Sequence, residues 1–449
     1  MRQLKERENW ASQTGFILAA AGSAVGLGNI WRFPYVVGTN GGAAFLLIYL
    51  IAIILIGVPV MITEMTLGRK TNRNPVGAFK SLAPDTPWWL VGALGVFTGF
   101  VILSYYSVVA GWSLSYVFKA IGGTFIAGAN FEELFFGHIT SPGISILWHA
   151  IFMVLTIGII SAGIVKGIQR WVKILMPVLL GLLILLVIRA LTLEGAGEGL
   201  NFFLSPDFSD ISARSFLDAI AQAFFTLSLG MGAIITYGSY LKEDSQIGDN
   251  AGWVIGLDTI IAIIAGLAIF PAVFALGFEA TDTVGLTFIT LPAVFAEMPL
   301  GGFFGFLFFL LLSIAAVTSA ISLLEVVTAY MIDEHQWERK KAALVVGIII
   351  FVIGIPTVLG YSTWEGVEFL GMDLLDTYDW FANSIFLPLG GLLTAIFAGY
   401  IWGAKNLAKE ANKEKGKILV GRWFEILIKY IVPVAIVVIM IFGIIEAFA

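Results

Sequence analysis

Cysteine is absent from the 449 residues, histidine occurs three times, and only 12% of the chain is charged. Without cysteine there are no disulfides, thiolate metal sites or cysteine nucleophiles. His138, His149 and His335 stand too far apart for a transition-metal spacing. A soluble globular chain carries roughly 25% charged residues, about twice the share present. A phosphate-binding glycine loop, a nucleophile elbow and a metal-binding His-Glu motif are all missing. An enzyme is therefore not expected, and neither is a nucleic-acid partner.

What the chain has in place of charge is apolar length. It is 59% hydrophobic, and its mean hydropathy is +0.94. A helix needs about 20 mostly apolar residues to cross a bilayer. Eleven stretches qualify, near 11–38, 42–68, 88–121, 145–163, 171–188, 215–241, 251–277, 302–332, 342–361, 380–403 and 424–447. The longest imply tilt or extension beyond the lipid rather than extra spans. The first is too long, too Gly-rich and too continuous with the second stretch to read as a cleaved signal peptide. The fold class is all-α and integral to the membrane, with the bilayer itself as a partner.

Lysine and arginine orient the spans. With residues 1–10 as a cytoplasmic tail, most of the 25 basic residues fall inside, as in Arg69, Lys70, Arg73 and Lys80, or Lys405 to Arg422. Outside loops hold Lys119, Arg189 and Arg214 but are otherwise acidic, as in Glu365, Glu368, Asp373, Asp376 and Asp379. An odd number of spans places the C-terminus outside. The expected division is a first five-helix repeat over 11–188, an outer loop over 189–214, a second repeat over 215–403, a cytoplasmic loop over 404–423, and an eleventh span over 424–449.

Two spans carry breaks. The first reads Ala21-Gly22-Ser23-Ala24-Val25-Gly26-Leu27-Gly28-Asn29, and the sixth reads Phe225-Thr226-Leu227-Ser228-Leu229-Gly230-Met231-Gly232. Glycine costs about 1 kcal/mol against alanine inside a helix. Backbone freed at membrane depth persists only against protein or a water-filled cavity. Glycines can also serve close helix packing, but two breaks at matching places in two five-helix halves point to a site between inverted repeats. A restarting half-helix offers N–H groups to a carboxylate, and an ending one offers carbonyls to a cation.

At these residues the chain resembles the neurotransmitter:sodium symporter family, from Trp10 to about Gly403. It is most similar to its bacterial eleven-helix members that transport varied hydrophobic amino acids. Gly28-Asn29-Ile30-Trp31-Arg32-Phe33-Pro34, Asn40-Gly41-Gly42-Ala43-Ala44-Phe45, Glu64, Tyr105-Tyr106 and Ala315-Ala316-Val317-Thr318-Ser319 carry the resemblance. It implies the five-plus-five inverted-repeat (LeuT-type) transporter fold with helices 1 and 6 broken and one further helix. It also implies alternating-access, sodium-coupled import of hydrophobic amino acids into a prokaryotic cell across its plasma (inner) membrane. Two sodium ions are expected. The resemblance gives one to Ala24, Asn29, Thr226 and Asp258 with the substrate carboxylate, and the other to Gly22, Val25, Ala315, Thr318 and Ser319. All are oxygen ligands, as a hard cation needs.

The substrate carboxylate is implied at Tyr106 and the amides of Leu27 and Gly28, near Ala24. The amino group belongs with carbonyls at Phe225 and Thr226, and the side chain among Ile102, Phe225, Ser228, Met231, Ser319 and Leu323. Family members that take monoamines carry Asp where this chain has Gly26, so the substrate here supplies its own carboxylate. Met231 replaces a common Phe and suits a pocket tolerant of aliphatic and aromatic side chains. Arg32 with Asp379 resembles an outer gate, directly or through water. Arg7 with Asp333, helped by Trp10, Ser239 and Tyr240, resembles an inner one.

There are departures. Asp258 stands where Asn is common, and Ala262 stands where chloride-dependent members have Ser, while Tyr49, Gln222 and Thr226 of that anion site are kept. Chloride is thus not expected to be required, with Asp258 supplying the fixed charge, and protonation of Asp258 on the return step would export a proton. Gly167 and Pro177 admit either unwinding at the start of the fifth span or an ordinary helix start. A twelfth span of many relatives has no counterpart, so the oligomeric state stays open. The alternatives are a proton-coupled amino-acid transporter of the same fold and a non-transporting amino-acid receptor.

Overall fold

The computed structural model describes residues 8–277 and 285–448. The first apolar stretch is two helices, α1 (Gln13–Ala24) and α2 (Gly28–Thr39), meeting at 51°. Ser12 starts α1, its hydroxyl accepting from the Gly15 N–H at 3.1 Å, as an N-cap should. Then come α3 (Ala43–Thr71), α4 (Trp89–Ile121), α5 (Pro142–Ser161) and α6 (Ile164–Leu191). The sixth stretch is α7 (Ala213–Thr226) and α8 (Ala233–Gly238), neither long enough to cross a bilayer alone. The remaining spans are α9 (Ile247–Ala275), α10 (Gly301–His335), α11 (Arg339–Leu359), α12 (Leu374–Ile401) and α13 (Arg422–Ile445). Among the described residues nine helices are long and apolar enough to cross a membrane, ten with α1 and α2 taken as one bent span, and the short α7 and α8 lie where the sixth stretch was expected.

Burial sorts the spans. The apolar stretch of α10 is 89% buried and that of α13 only 22%. So α10, packed along α4, is the axis of the bundle, while α13 shows its apolar side chains, such as Val434 and Ile441, to lipid. Between α7 and α8 the backbone takes left-handed angles at Ser228 (φ 54°), Gly230 (φ 79°) and Gly232 (φ 74°), which glycine adopts without strain. The α8 helix has six residues and lies on α3 backbone to backbone. A Cβ on Gly68 would run into the Ile235 carbonyl and stand 2.7 Å from the Ser239 nitrogen; one on Gly238 would meet the Met65 carbonyl at 2.8 Å.

At Gly167 the backbone is wound, but as a π-helix over Ile164–Gln169 rather than as an ordinary helix start. Gly163 turns the chain at φ 93°, the Gly167 N–H bonds the Gly163 carbonyl at 3.1 Å, and Pro177 lies inside a continuous helix. The Glu8 carboxylate accepts from the Ile164 N–H at 2.7 Å at the start of α6.

Candidate functional site

Both breaks open onto one small cavity, walled by α4 and α10. Every residue expected around the substrate lines it except Thr226, and Ser23, Gly26 and Ser322 line it as well. The Tyr106 hydroxyl accepts from the Leu27 N–H at 3.3 Å, which sets a phenol and the restarting backbone of α2 side by side. At Gly26 a side chain would crowd the ligand-facing groups: a Cβ would stand 3.0 Å from the Tyr106 hydroxyl and nearer still to Ser319 Oγ. At Gly28 it would meet the Phe225 ring at 2.9 Å.

Thr226 turns away from the cavity toward Asp258, donating to Oδ1 at 3.1 Å and Oδ2 at 3.3 Å. Asn29 Nδ2 donates to the same Oδ1 at 2.8 Å, while Asn29 Oδ1 accepts from the Gly26 N–H at 3.1 Å. Asp258 is fully buried and has no ion-pair partner among the described residues. A buried carboxylate without a protein cation calls for a mobile cation or a proton. Gln222 donates to the Gly28 carbonyl at 2.9 Å beside this cluster.

The second expected ion set also converges. The Thr318 hydroxyl lies 2.9 Å from the Ala315 carbonyl and 3.3 Å from that of Val25, and Ser319 Oγ lies 3.5 Å from the latter. A Cβ on Gly22 would touch Thr318 at 3.4 Å. Carbonyls and hydroxyls alone make up this set, which suits a hard monovalent cation.

Below the cavity the chain is sealed. Trp10, 2% exposed, donates from its backbone to the Tyr240 carbonyl at 3.1 Å and from its indole to that of Tyr237 at 3.0 Å. The Tyr240 hydroxyl donates to Glu325 at 2.6 Å, and Arg339 grips the same carboxylate with two bonds of 2.6 and 2.9 Å. Asp333 accepts from the Asn74 N–H at 2.8 Å, and the Ser239 hydroxyl donates to the Thr236 carbonyl at 2.5 Å. Arg7, the expected partner of Asp333, lies outside the described residues.

Above the cavity, Arg32 and Asp379 form no direct ion pair among the described residues. Arg32 instead sits 5.0 Å from the Phe225 ring centre, a cation–π arrangement, and Asp379 accepts from Asn383 Nδ2 at 2.7 Å. The sequence reading missed the Glu325–Arg339 pair. It assigned no role to Glu64, whose carboxylate accepts the Gly230 N–H at 2.8 Å and so caps backbone freed by the second break. A charge inside an apolar stretch was the available signal at both glutamates.

Comparison with known proteins bears on the same residues. The model of the sodium:neurotransmitter symporter family matches residues 7–127 and 133–449. A sodium-dependent transporter of Bacillus subtilis (strain 168), YhdH, is 40% identical over 436 residues, covering 96% of each chain. A sodium-dependent transporter of Haemophilus influenzae is 37% identical over 452 residues, 97% of this chain and 98% of that one. The crystal structure of MhsT in complex with L-phenylalanine aligns with a TM-score of 0.90 and 49% identity, covering 97% of this chain and 100% of the other.

Proposed function

The chain belongs to the sodium:neurotransmitter symporter family and is a sodium-dependent, multi-pass membrane transporter, and from that premise we propose that it imports hydrophobic L-amino acids, aliphatic and aromatic, by alternating access. One observation carries this reading. The two helix breaks meet at a single cavity in which Gly26 supplies no carboxylate and no Asp or Glu is among the described lining residues, so the cargo brings its own. That MhsT was crystallised with L-phenylalanine supports the same cargo class.

The cargo carboxylate lies at the Leu27 and Gly28 amides and the Tyr106 hydroxyl, where the half-helix start favours negative charge. Its ammonium faces carbonyls at Ala24, Phe225 and Thr226, and its side chain lies among Ile102, Met231 and Leu323. One sodium is held by Ala24, Asn29, Thr226, Asp258 and the cargo carboxylate, which makes sodium and cargo binding mutually dependent. The second is held by Gly22, Val25, Ala315, Thr318 and Ser319, and ties α1 to α10. Asp258 supplies the negative charge that makes chloride dispensable.

With both ions bound, the inner seal at Trp10, Tyr240, Glu325 and Arg339 opens after Arg32 has closed over the cargo. The N-terminus faces the cytoplasm and the C-terminus the outside of a prokaryotic inner membrane. Two net charges moving through 100 mV release about 4.6 kcal/mol, or about a thousandfold accumulation. The test is uptake of radiolabelled leucine and tryptophan into proteoliposomes with an inward sodium gradient, against potassium in its place. Accumulation of both only with sodium is expected. Uptake that ignores sodium but follows a pH gradient would replace this reading with proton coupling, and binding without accumulation would replace it with a receptor.

A further inference from the structure

We propose that Ser23 and Ser322 form a hydrogen-bond-accepting floor in the central cavity, which favours amino acids whose ring carries an N–H, as in tryptophan, over equally large rings without one. This rests on reading the cavity as an amino-acid site and adds to it a selectivity that apolar lining alone does not provide.

A serine hydroxyl has one proton to give and two lone pairs to receive with. Ser322 Oγ gives its proton to the Ser319 carbonyl at 2.8 Å. It therefore cannot donate to Ser23, and the 2.7 Å contact between the two hydroxyls is Ser23 donating to Ser322. The other two serines of the cavity are committed likewise: Ser228 and Ser319 both donate to the Ser23 carbonyl, at 2.9 and 3.0 Å. Every serine on the wall thus directs its proton into the protein. What remains unused is lone pairs, one on Ser322 Oγ and two on Ser23 Oγ, on residues that line the cavity.

Both side chains are 1% exposed, so bulk water does not compete freely for those lone pairs. Around them the wall is apolar, with Ile102, Met231 and Leu323 to hold the body of a ring. The spacing of three between Ser319 and Ser322 puts both on one face of α10, and Ser23, in the last turn of α1, meets them from across the break. An indole N–H has no acceptor capacity and must find an acceptor when buried; here it meets acceptors only. A site built to hydrogen-bond a polar edge discriminates more sharply than one built of hydrocarbon.

The experiment uses the full-length purified protein in sodium and displaces tritiated leucine with two ligands of one outline: L-tryptophan and 3-(3-benzothienyl)-L-alanine, in which sulfur replaces the N–H. The native protein is expected to prefer tryptophan by about five- to tenfold, the scale of one net hydrogen bond. In Ser322→Ala and Ser23→Ala the ratio is expected to fall to about twofold or less. A native ratio near one would overturn the proposal without any variant, and so would a ratio that survives in both variants. Absence of sodium-dependent leucine binding to the native protein would overturn the amino-acid reading itself, and this one with it.

Discussion

Replacing Gly26 by alanine adds one carbon 3.0 Å from the Tyr106 hydroxyl, 3.1 Å from Ser319 Cβ and closer yet to Ser319 Oγ. Such contacts lie inside the ordinary 3.5–4 Å separation of packed atoms. Overpacking of this kind costs about 1–3 kcal/mol, or about five- to 150-fold in an equilibrium constant. Two movements relieve it. Ser319 can swing its hydroxyl away from the Ser23 and Val25 carbonyls, now 3.0 and 3.5 Å distant, or Tyr106 can retreat from the Leu27 N–H.

Without ligands the serine rotation is inexpensive, so folding survives. With ligands it is not available, because Ser319 belongs to the second ion set and Tyr106 to the carboxylate position. The Gly26→Ala protein should therefore melt close to the native temperature in sodium-free buffer, yet bind leucine about tenfold more weakly, with the half-saturating sodium concentration raised. Scintillation-proximity binding of tritiated leucine across a sodium series measures both. Leucine binding within twofold of native, at an unchanged sodium midpoint, would refute the account of this position.

Three further outcomes are expected from the same geometry. Asp258→Asn puts an amide among the Asn29 and Thr226 donors and should weaken sodium activation of uptake by about tenfold or more; native uptake should be equal in chloride and gluconate, and collapse in gluconate would show that Asp258 does not replace the anion. Glu325→Gln leaves the partly exposed Arg339 beside a neutral partner, a smaller loss than the about 3–5 kcal/mol of a fully buried pair; uptake should fall, with a lower melting temperature, and a native-like transporter would show that the seal does not depend on this pair. Gly68→Ala forces α8 off α3 at the Ile235 carbonyl and should lower the melting temperature and abolish uptake, whereas full activity would mean the two backbones can separate.

Lipid made most of the fold legible. The run expected near 42–68 is the helix Ala43–Thr71, and the run near 302–332 is Gly301–His335, because hydrocarbon thickness demands an apolar length that water-soluble folds do not require. The breaks were legible because glycine clusters at 22–28 and 230–232 have few other uses at membrane depth. Short helices between spans were not. Pro75–Leu82 is started by Asn74, whose side chain accepts from the Val76 N–H at 2.9 Å, while its own N–H reaches Asp333. That contact joins residues 259 positions apart, and local pattern carries no trace of it. The same distance problem hid the pairing of Ser23 with Ser322.

The backbone contact between α3 and α8 changes what the second break means. Six residues cannot hold a helix by themselves in any medium that competes for their hydrogen bonds, so α8 takes its position from the longer helix beneath it. Glu64, on that same longer helix, also holds Gly230, and the graft thus extends back into the unwound stretch. Mechanically, α7 and α8 are both fastened to α3, α7 along its first half and α8 along its second, with a few left-handed residues as a joint between them. A displacement of α3 therefore reaches the second break from both of its sides, through α7 above and through α8 and Glu64 below.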